Sequence, residues 1–170
     1  MLNLNLASQE TKEGNLNNFE DEIDKKYLTD TGRLSSHWTA FIRTANKRQM
    51  PEQIHCLVVQ YKSTKLAQLH LANSGYGYMD GFKRVNKNMS LGDINNTVHN
   101  NMYKTDGIPM EVHGIEFSYH NYVVNCFGLD PKHAVRHEFV ENVAREMLKK
   151  LEAVPLVKPE DAVFNQPALD

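Results

Sequence analysis

The sequence has little of several features that would identify a protein class. It contains two cysteines and one tryptophan, and its 19 Lys and Arg nearly balance 21 Asp and Glu, for a formal net charge of −2. A chain so close to neutrality is not, as a whole, an electrostatic clamp for nucleic acid or an anionic membrane. No apolar run approaches the ~18 residues of a membrane span. Residues 1–8 also lack the basic and apolar regions of a secretory signal. These absences predict a soluble, cytoplasmic protein with no membrane partner.

Recognisable catalytic and redox motifs are also missing. The sequence has no G-x-S-x-G element and no phosphate-binding glycine-lysine run, so neither a serine hydrolase nor a P-loop enzyme is indicated. Cys56 and Cys126 have neither CxxC spacing nor the density of a secreted disulfide scaffold. We therefore expect two free thiols in a reducing compartment. A protein without enzymatic activity is favoured, no cofactor is expected, and the oligomeric state is left open.

Length and composition predict one ordinary globular domain. A chain of 170 residues with 41% hydrophobic residues buries about 70% of its unfolded surface, which is enough for a core without a structural metal. Residues 1–15 are polar and lack periodicity, which predicts a flexible N-terminal arm. The single domain is expected over 16–152. Residues 153–170 contain three of the six prolines and are expected to form an extended tail.

Apolar spacing predicts helices in three regions. Over 37–47 apolar residues recur at steps of three and four, and over 94–102 they recur every four residues behind a Ser90–Asp93 capping pattern. The third helix is the longest, because Asp130 and Pro131 resemble a helix start and one apolar face continues from there to Leu151. The apolar residues are Trp38, Phe41, Ile42 and Ala45; Ile94, Val98 and Met102; and Phe139, Val143, Met147 and Leu151.

Strands are predicted where β-branched and aromatic residues concentrate. Residues 110–127 have this composition, and His120 and Asn121 could reverse the chain between two strands. Residues 51–71 fit either helices or strands, and that alternative stays open. The predicted fold class is therefore α+β, with helices packed on a small antiparallel sheet and a long C-terminal helix.

Charge is distributed unevenly behind the small net value. Residues 33–88 carry a net charge of +7, whereas residues 1–32 carry −4 and residues 89–170 carry −5. The same central segment contains several aromatic residues. Cations neutralise phosphates and flat rings stack on bases, so this combination suits a single-stranded nucleic acid. The alternative is a solvated basic face that pairs with the acidic flanks.

A glycine and tyrosine run is the sharpest local pattern in this basic centre. Gly75-Tyr-Gly-Tyr-Met79 is similar in part to the strand motif of RNA-recognition domains, in which alternate aromatics face the RNA. Ser74 stands where that motif has a basic residue and Gly81 where it has an aromatic, so the chain is not assigned to the family. The alternative is a surface loop whose tyrosines pack on the domain. The predicted nucleic-acid-binding residues are Trp38, Arg43, Lys47, Arg48, Tyr76, Tyr78, Lys83, Arg84 and Lys87.

Three residues in the C-terminal helix suggest a metal site. His133, His137 and Glu141 lie four residues apart, so they occupy successive turns of one helix face. Imidazole and carboxylate groups at this spacing are suitable zinc or manganese ligands, with His113 or His120 as a further ligand. The alternative is that the two histidines of the helix simply pack at the edge of the core.

Three functions follow from these patterns. The leading hypothesis is a small non-enzymatic binding protein whose basic, aromatic centre engages nucleic acid or a nucleoprotein complex. The second is a protein-interaction module or inhibitor that acts on a protein partner, such as an accessory or mobile-element protein. The third, weaker hypothesis is a metal-dependent hydrolase or nuclease that uses His133, His137 and Glu141.

Overall fold

A computed structural model describes residues 6–15, 31–43, 53–74, 83–85, 89–105, 107–131, 137–153 and 155. These residues form seven strands and two helices. The strands are β1 (Leu6–Asn15), β2 (Arg33–Arg43), β3 (Gln53–Tyr61), β4 (Lys83–Val85), β5 (Ile94–Thr105), β6 (Ile108–Tyr119) and β7 (Tyr122–Asp130). The helices are α1 (Thr64–Ser74) and α2 (His137–Ala153).

All seven strands form one antiparallel sheet in the order β1-β2-β3-β7-β6-β5-β4. Strands β1 to β3 form one meander, strands β4 to β7 form another, and β3 pairs with β7 where the two meet. The predicted fold class, helices on a small antiparallel sheet, is therefore wrong. The sheet is the dominant element, because central strands buried on both faces carry most of the core.

The two helices lie against opposite faces of the sheet. Side chains alternate between faces along a strand, and in β3 Ile54 and Cys56 belong to a core cluster with the α2 residues Val140 and Ala144. Val59 and Tyr61, on the other face of β3, cluster with Ala67 and Leu71 of α1. The sheet is thus covered by one helix on each side in its central part.

Two predicted helices are wrong. Residues 33–43 form β2, paired with β1 and β3, although Trp38, Phe41 and Ile42 have helical spacing. Residues 94–105 form β5, where the side-chain Nδ2 of Asn95 donates to the Met89 carbonyl at 2.7 Å. Side-chain to backbone hydrogen bonds of this kind compete with helix formation. Pairing with neighbouring strands outweighs a local apolar period in both segments.

The open alternative for residues 51–71 resolves into one strand and one helix. Residues 53–61 form β3, and α1 begins at Thr64. The predicted strand pair over 110–127 is confirmed as β6 and β7, joined at His120, whose φ of 50° makes the tight reversal.

The structure describes a strand within the expected N-terminal arm and a later start for the C-terminal helix. The C-terminal helix is described from His137, and the predicted helix start at Asp130 is wrong because Asp130 pairs with Glu111 as the last residue of β7. Leu6–Asn15, within the expected N-terminal arm, forms β1 at one edge of the sheet. Its polar composition is typical of edge strands, where charged side chains discourage further pairing.

Candidate functional site

The sheet order separates the basic residues that the sequence placed together. Trp38 and Arg43 lie on β2, whereas Lys83 and Arg84 lie on β4 at the far edge of the sheet. Five strand spacings of about 4.8 Å place β2 and β4 about 24 Å apart along the sheet. The other predicted nucleic-acid-binding residues lie outside the described part of the chain. These residues are Lys47, Arg48, Tyr76, Tyr78 and Lys87.

A different set of cations from the same basic segment gathers where β3 leads into α1. Ser63 caps α1, because its hydroxyl accepts a hydrogen bond from the Leu66 amide at 3.2 Å and its carbonyl accepts one from the Ala67 amide at 3.1 Å. This cap places Lys62 just before the helix and Lys65 in its first turn. Both lysines are exposed.

Arg33 joins these lysines from the neighbouring strand. It is the first residue of β2 and lies opposite Tyr61, while the Lys62 amide donates to the Gly32 carbonyl at 2.9 Å. Gly32 is close enough to α1 that a Cβ atom added there would lie 2.6 Å from Leu66 Cδ1. Backbone pairing and helix packing therefore hold three cations at one end of the sheet.

An exposed apolar side chain lies near Lys65 on the outer face of α1. Leu69 is one turn after Lys65, so the two lie on the same face of the helix, and its side chain is 51% exposed. Opposite it, Ala67 and Leu71 are buried against the sheet. We call Arg33, Lys62, Lys65 and Leu69 together the α1 surface.

The positive charges of the α1 surface lower the stability of the helix α1. The N-terminus of a helix carries a partial positive charge, which favours acidic side chains in the first turn and disfavours basic ones by about 0.3–1 kcal/mol each. The first turn of α1 has Lys65 and no acidic residue, and residues 53–74 contain no Asp or Glu. Violations of local rules of this kind are expected at functional or strained sites.

His70 does not add to this positive charge at neutral pH. The centre of the His70 ring lies 5.2 Å from the centre of the Tyr61 ring. Tyr61 is buried at the end of β3. Burial, together with the charge of Arg33, lowers the pKa of His70 from 6.5 to about 4. The imidazole is therefore neutral in the folded protein, and the charge of the α1 surface comes from Arg33 and the two lysines.

The residues of the predicted metal site meet a histidine of the sheet. His133 lies outside the described residues, but the ring of His137 on α2 is 6.2 Å from the ring of His113 on β6, between ring centres. His113 Nε2 is 3.3 Å from Glu111 Oε1, and His137 Nε2 is 4.0 Å from Glu141 Oε2. His113, which the sequence suggested as a further ligand, is thus near His137.

The carboxylate of Glu141 in this cluster also has a cationic partner. Glu141 is engaged by Arg145, whose Nη2 and Nε donate to Glu141 Oε1 at 2.7 and 3.1 Å. Within the residues that the structure describes, no group of three or more His, Cys, Asp or Glu side chains is arranged to hold a metal ion. The metal site stays a prediction, because His133 lies outside the described residues.

Sequence reasoning counted Arg33, Lys62 and Lys65 in the basic segment but did not select them as a site. The available signal was Lys-Ser-Thr-Lys over 62–65, in which a capping serine stands between two lysines. This pattern did not by itself predict a helix start, because residues 51–71 fitted both helix and strand. Arg33 had no local signal, since its position beside α1 depends on the pairing of β2 with β3.

Comparison with known proteins identifies a similar fold but does not identify a family. No family model and no curated protein sequence matches this chain. Among solved structures, it is similar to the extracellular domain of PknH from Mycobacterium tuberculosis, with a TM-score of 0.52 and 11% sequence identity over 86% of this chain and 80% of that chain. Neither described helix is long and apolar enough to cross a membrane. The chain therefore shares the fold of that extracellular domain, and the likeness extends to the fold alone.

Proposed function

We propose that this protein is a non-enzymatic interaction module that docks a protein partner through the α1 surface. The observation that carries the proposal is that Arg33, Lys62 and Lys65 lie where β3 leads into α1. The first turn of this helix has no acidic residue, and Leu69 is exposed one turn after Lys65. A partner that fits this surface offers carboxylates around a small apolar contact. Charged rims steer association and set specificity, while the apolar centre supplies affinity.

The contribution of each part follows from its exposure. Full burial of a leucine is worth about 1.5–3 kcal/mol, and Leu69 has 51% of its side chain left to bury. Truncation of Leu69 is therefore expected to weaken docking by about 1 kcal/mol, or roughly fivefold. Reversal of both lysine charges changes the surface by four units and is expected to weaken docking tenfold or more at low salt.

The test compares two charge-reversed variants in pull-downs from native cell extract. Lys62→Glu/Lys65→Glu alters the α1 surface, whereas Lys149→Glu/Lys150→Glu makes the same charge change at the exposed end of α2. The proposal predicts a protein that is recovered by the wild type and the α2 variant, is lost with the α1 variant, and is reduced with Leu69→Ser. Equal recovery by both charge-reversed variants contradicts the proposal.

Nucleic-acid binding remains a second proposal, supported by the same three cations of the +7 segment. Three phosphate contacts to a single strand give a salt slope near −2, so affinity is expected to fall about 20-fold between 50 and 200 mM salt. Fluorescence anisotropy with a labelled single-stranded RNA measures this directly. Loss of binding in Lys62→Glu/Lys65→Glu but not in Leu69→Ser favours nucleic acid over a protein partner. No binding at 50 mM salt removes this candidate.

The cytoplasmic location expected from the sequence stays a proposal as well. Its support is the scarcity of cysteine, two in 170 residues, which is below the density of a secreted disulfide scaffold, while the similar structure is an extracellular domain. Fractionation of the native cell with an antibody against this chain decides between the two compartments. The docking proposal holds in either one.

A further inference from the structure

Two cysteines that are far apart in the sequence meet in the centre of the sheet. Cys56 on β3 and Cys126 on β7 are direct partners in the antiparallel register. The Cys126 thiol donates a hydrogen bond to Cys56 Sγ at 3.2 Å, and the two residues are 70 positions apart in the chain. Directly opposed residues have Cα atoms about 4.5–5.5 Å apart, within the roughly 4.4–6.8 Å that a disulfide spans.

A disulfide between Cys56 and Cys126 would have a large effect on stability because of where the two residues lie in the fold. β3 ends the first meander and β7 ends the second, so the pair lies across the seam that joins the two halves of the sheet. A covalent link at this point would close a loop that contains α1 and strands β4 to β6. Cross-links that close long loops restrict the unfolded chain most.

The thiols are protected once the protein has folded. Cys56 is 4% exposed and Cys126 is fully buried, in a core cluster that includes α2 residues such as Val140 and Ala144. The hydrogen bond with Cys56, together with burial, raises the pKa of the Cys126 thiol well above its usual range. Because the thiolate is the reactive species, oxidation is expected before α2 docks on the sheet or when it detaches.

We propose that Cys56 and Cys126 form a cross-strand disulfide that locks the two meanders together when the chain folds in an oxidising environment. The oxidant is a low-molecular-weight disulfide such as oxidised glutathione. One cysteine thiolate attacks it, forming a mixed disulfide and releasing one glutathione. The second cysteine then attacks the protein sulfur of that bond and releases the other. Two protein thiols become one disulfide, two electrons reduce the oxidant, and the thiol protons pass to the two glutathione molecules.

The test refolds the full chain from denaturant, either with a glutathione redox buffer or with a strong reductant. Free thiols are then blocked under denaturing conditions and the protein is digested for mass spectrometry. The proposal predicts a linked peptide pair containing Cys56 and Cys126. It also predicts that the intact oxidised monomer is lighter than the reduced monomer by two hydrogen atoms. The oxidised protein is expected to unfold at a higher urea concentration than the reduced protein. Cys56→Ser and Cys126→Ser are expected to lack this shift.

Access to the thiols provides a second measurement on the wild type alone. Native reduced protein is expected to react with a thiol reagent at least about tenfold more slowly than unfolded protein, because both sulfurs are buried. Two unmodified thiols after refolding in the redox buffer overturn the proposal. So do mixed disulfides on separate cysteines, links between chains, or an oxidised protein that is no more stable than the reduced one.

Discussion

Removal of one buried amide at the β6–β7 turn is expected to destabilise the fold measurably. The side chain of Asn121 donates from Nδ2 to the Tyr61 carbonyl at 2.8 Å, and the Tyr61 amide donates to the Asn121 carbonyl at 2.8 Å. Both residues are buried. This exchange joins the turn to the end of β3, just before the lysines of the α1 surface.

The expected loss of stability in Asn121→Ala follows from the hydrogen bonds that remain after the substitution. The backbone bond survives, but the Tyr61 carbonyl loses the side-chain donor in a place that water does not reach. Removal of one partner of a buried hydrogen bond costs about 1–3 kcal/mol. For a chain of this size, each kcal/mol corresponds to a change of about 2–4 °C in the melting temperature. The expected decrease is therefore about 2–12 °C.

Thermal and urea unfolding, both monitored by circular dichroism, test this prediction, with Asn142→Ala on the exposed face of α2 as the matched control. The control is expected within about 0.5 kcal/mol of the wild type, as for most surface substitutions. Asn121→Ala is expected to lower the midpoint with an unchanged slope. A variant as stable as the control would refute the assignment of this amide to the stability of the β3 end.

The remaining predictions concern a strained glycine and a titrating histidine. Gly92→Ala is expected to destabilise the protein by more than about 2 kcal/mol, because φ is +63° and the added Cβ would lie 2.1 Å from the Ser118 carbonyl oxygen. Gly107→Ala, with φ of +79° and no atom within 4 Å, is expected to cost only about 1–2 kcal/mol. Equal losses in thermal melts of the two variants contradict the steric argument. Because the folded pKa of His70 is about 4 and its ordinary value is 6.5, the unfolded chain binds the proton first as the pH falls. The contribution of His70 to stability is thus complete above pH 6.5 and is lost as the pH falls toward 4. Unfolding curves of His70→Gln are expected to depend less on pH between 6.5 and 5 than those of the wild type, and parallel pH profiles contradict this.

The strand pair at the centre of the fold could be predicted from the sequence, whereas the extent of the sheet could not. Residues 110–127 are so rich in β-branched and aromatic side chains that a local rule sufficed, and His120 marks their turn. β1, β2 and β5 have no such local signal. Their polar or helically spaced sequences become strands because each pairs with a neighbouring strand, and that pairing cannot be seen in the composition of the segment itself.

The α1 surface also depends partly on the sequence alone and partly on the tertiary structure. The excess of cations over 33–88 is a property of the sequence alone, because it depends only on which residues are present. Which cations meet was decided by strand order, which separates Arg43 from Arg84 and brings Arg33 beside Lys62. The meeting of Cys56 and Cys126 was decided in the same way, since their contact depends on the pairing of β3 with β7. Composition and short-range spacing are local quantities, whereas hydrogen bonding between distant strands is settled only when the whole sheet assembles.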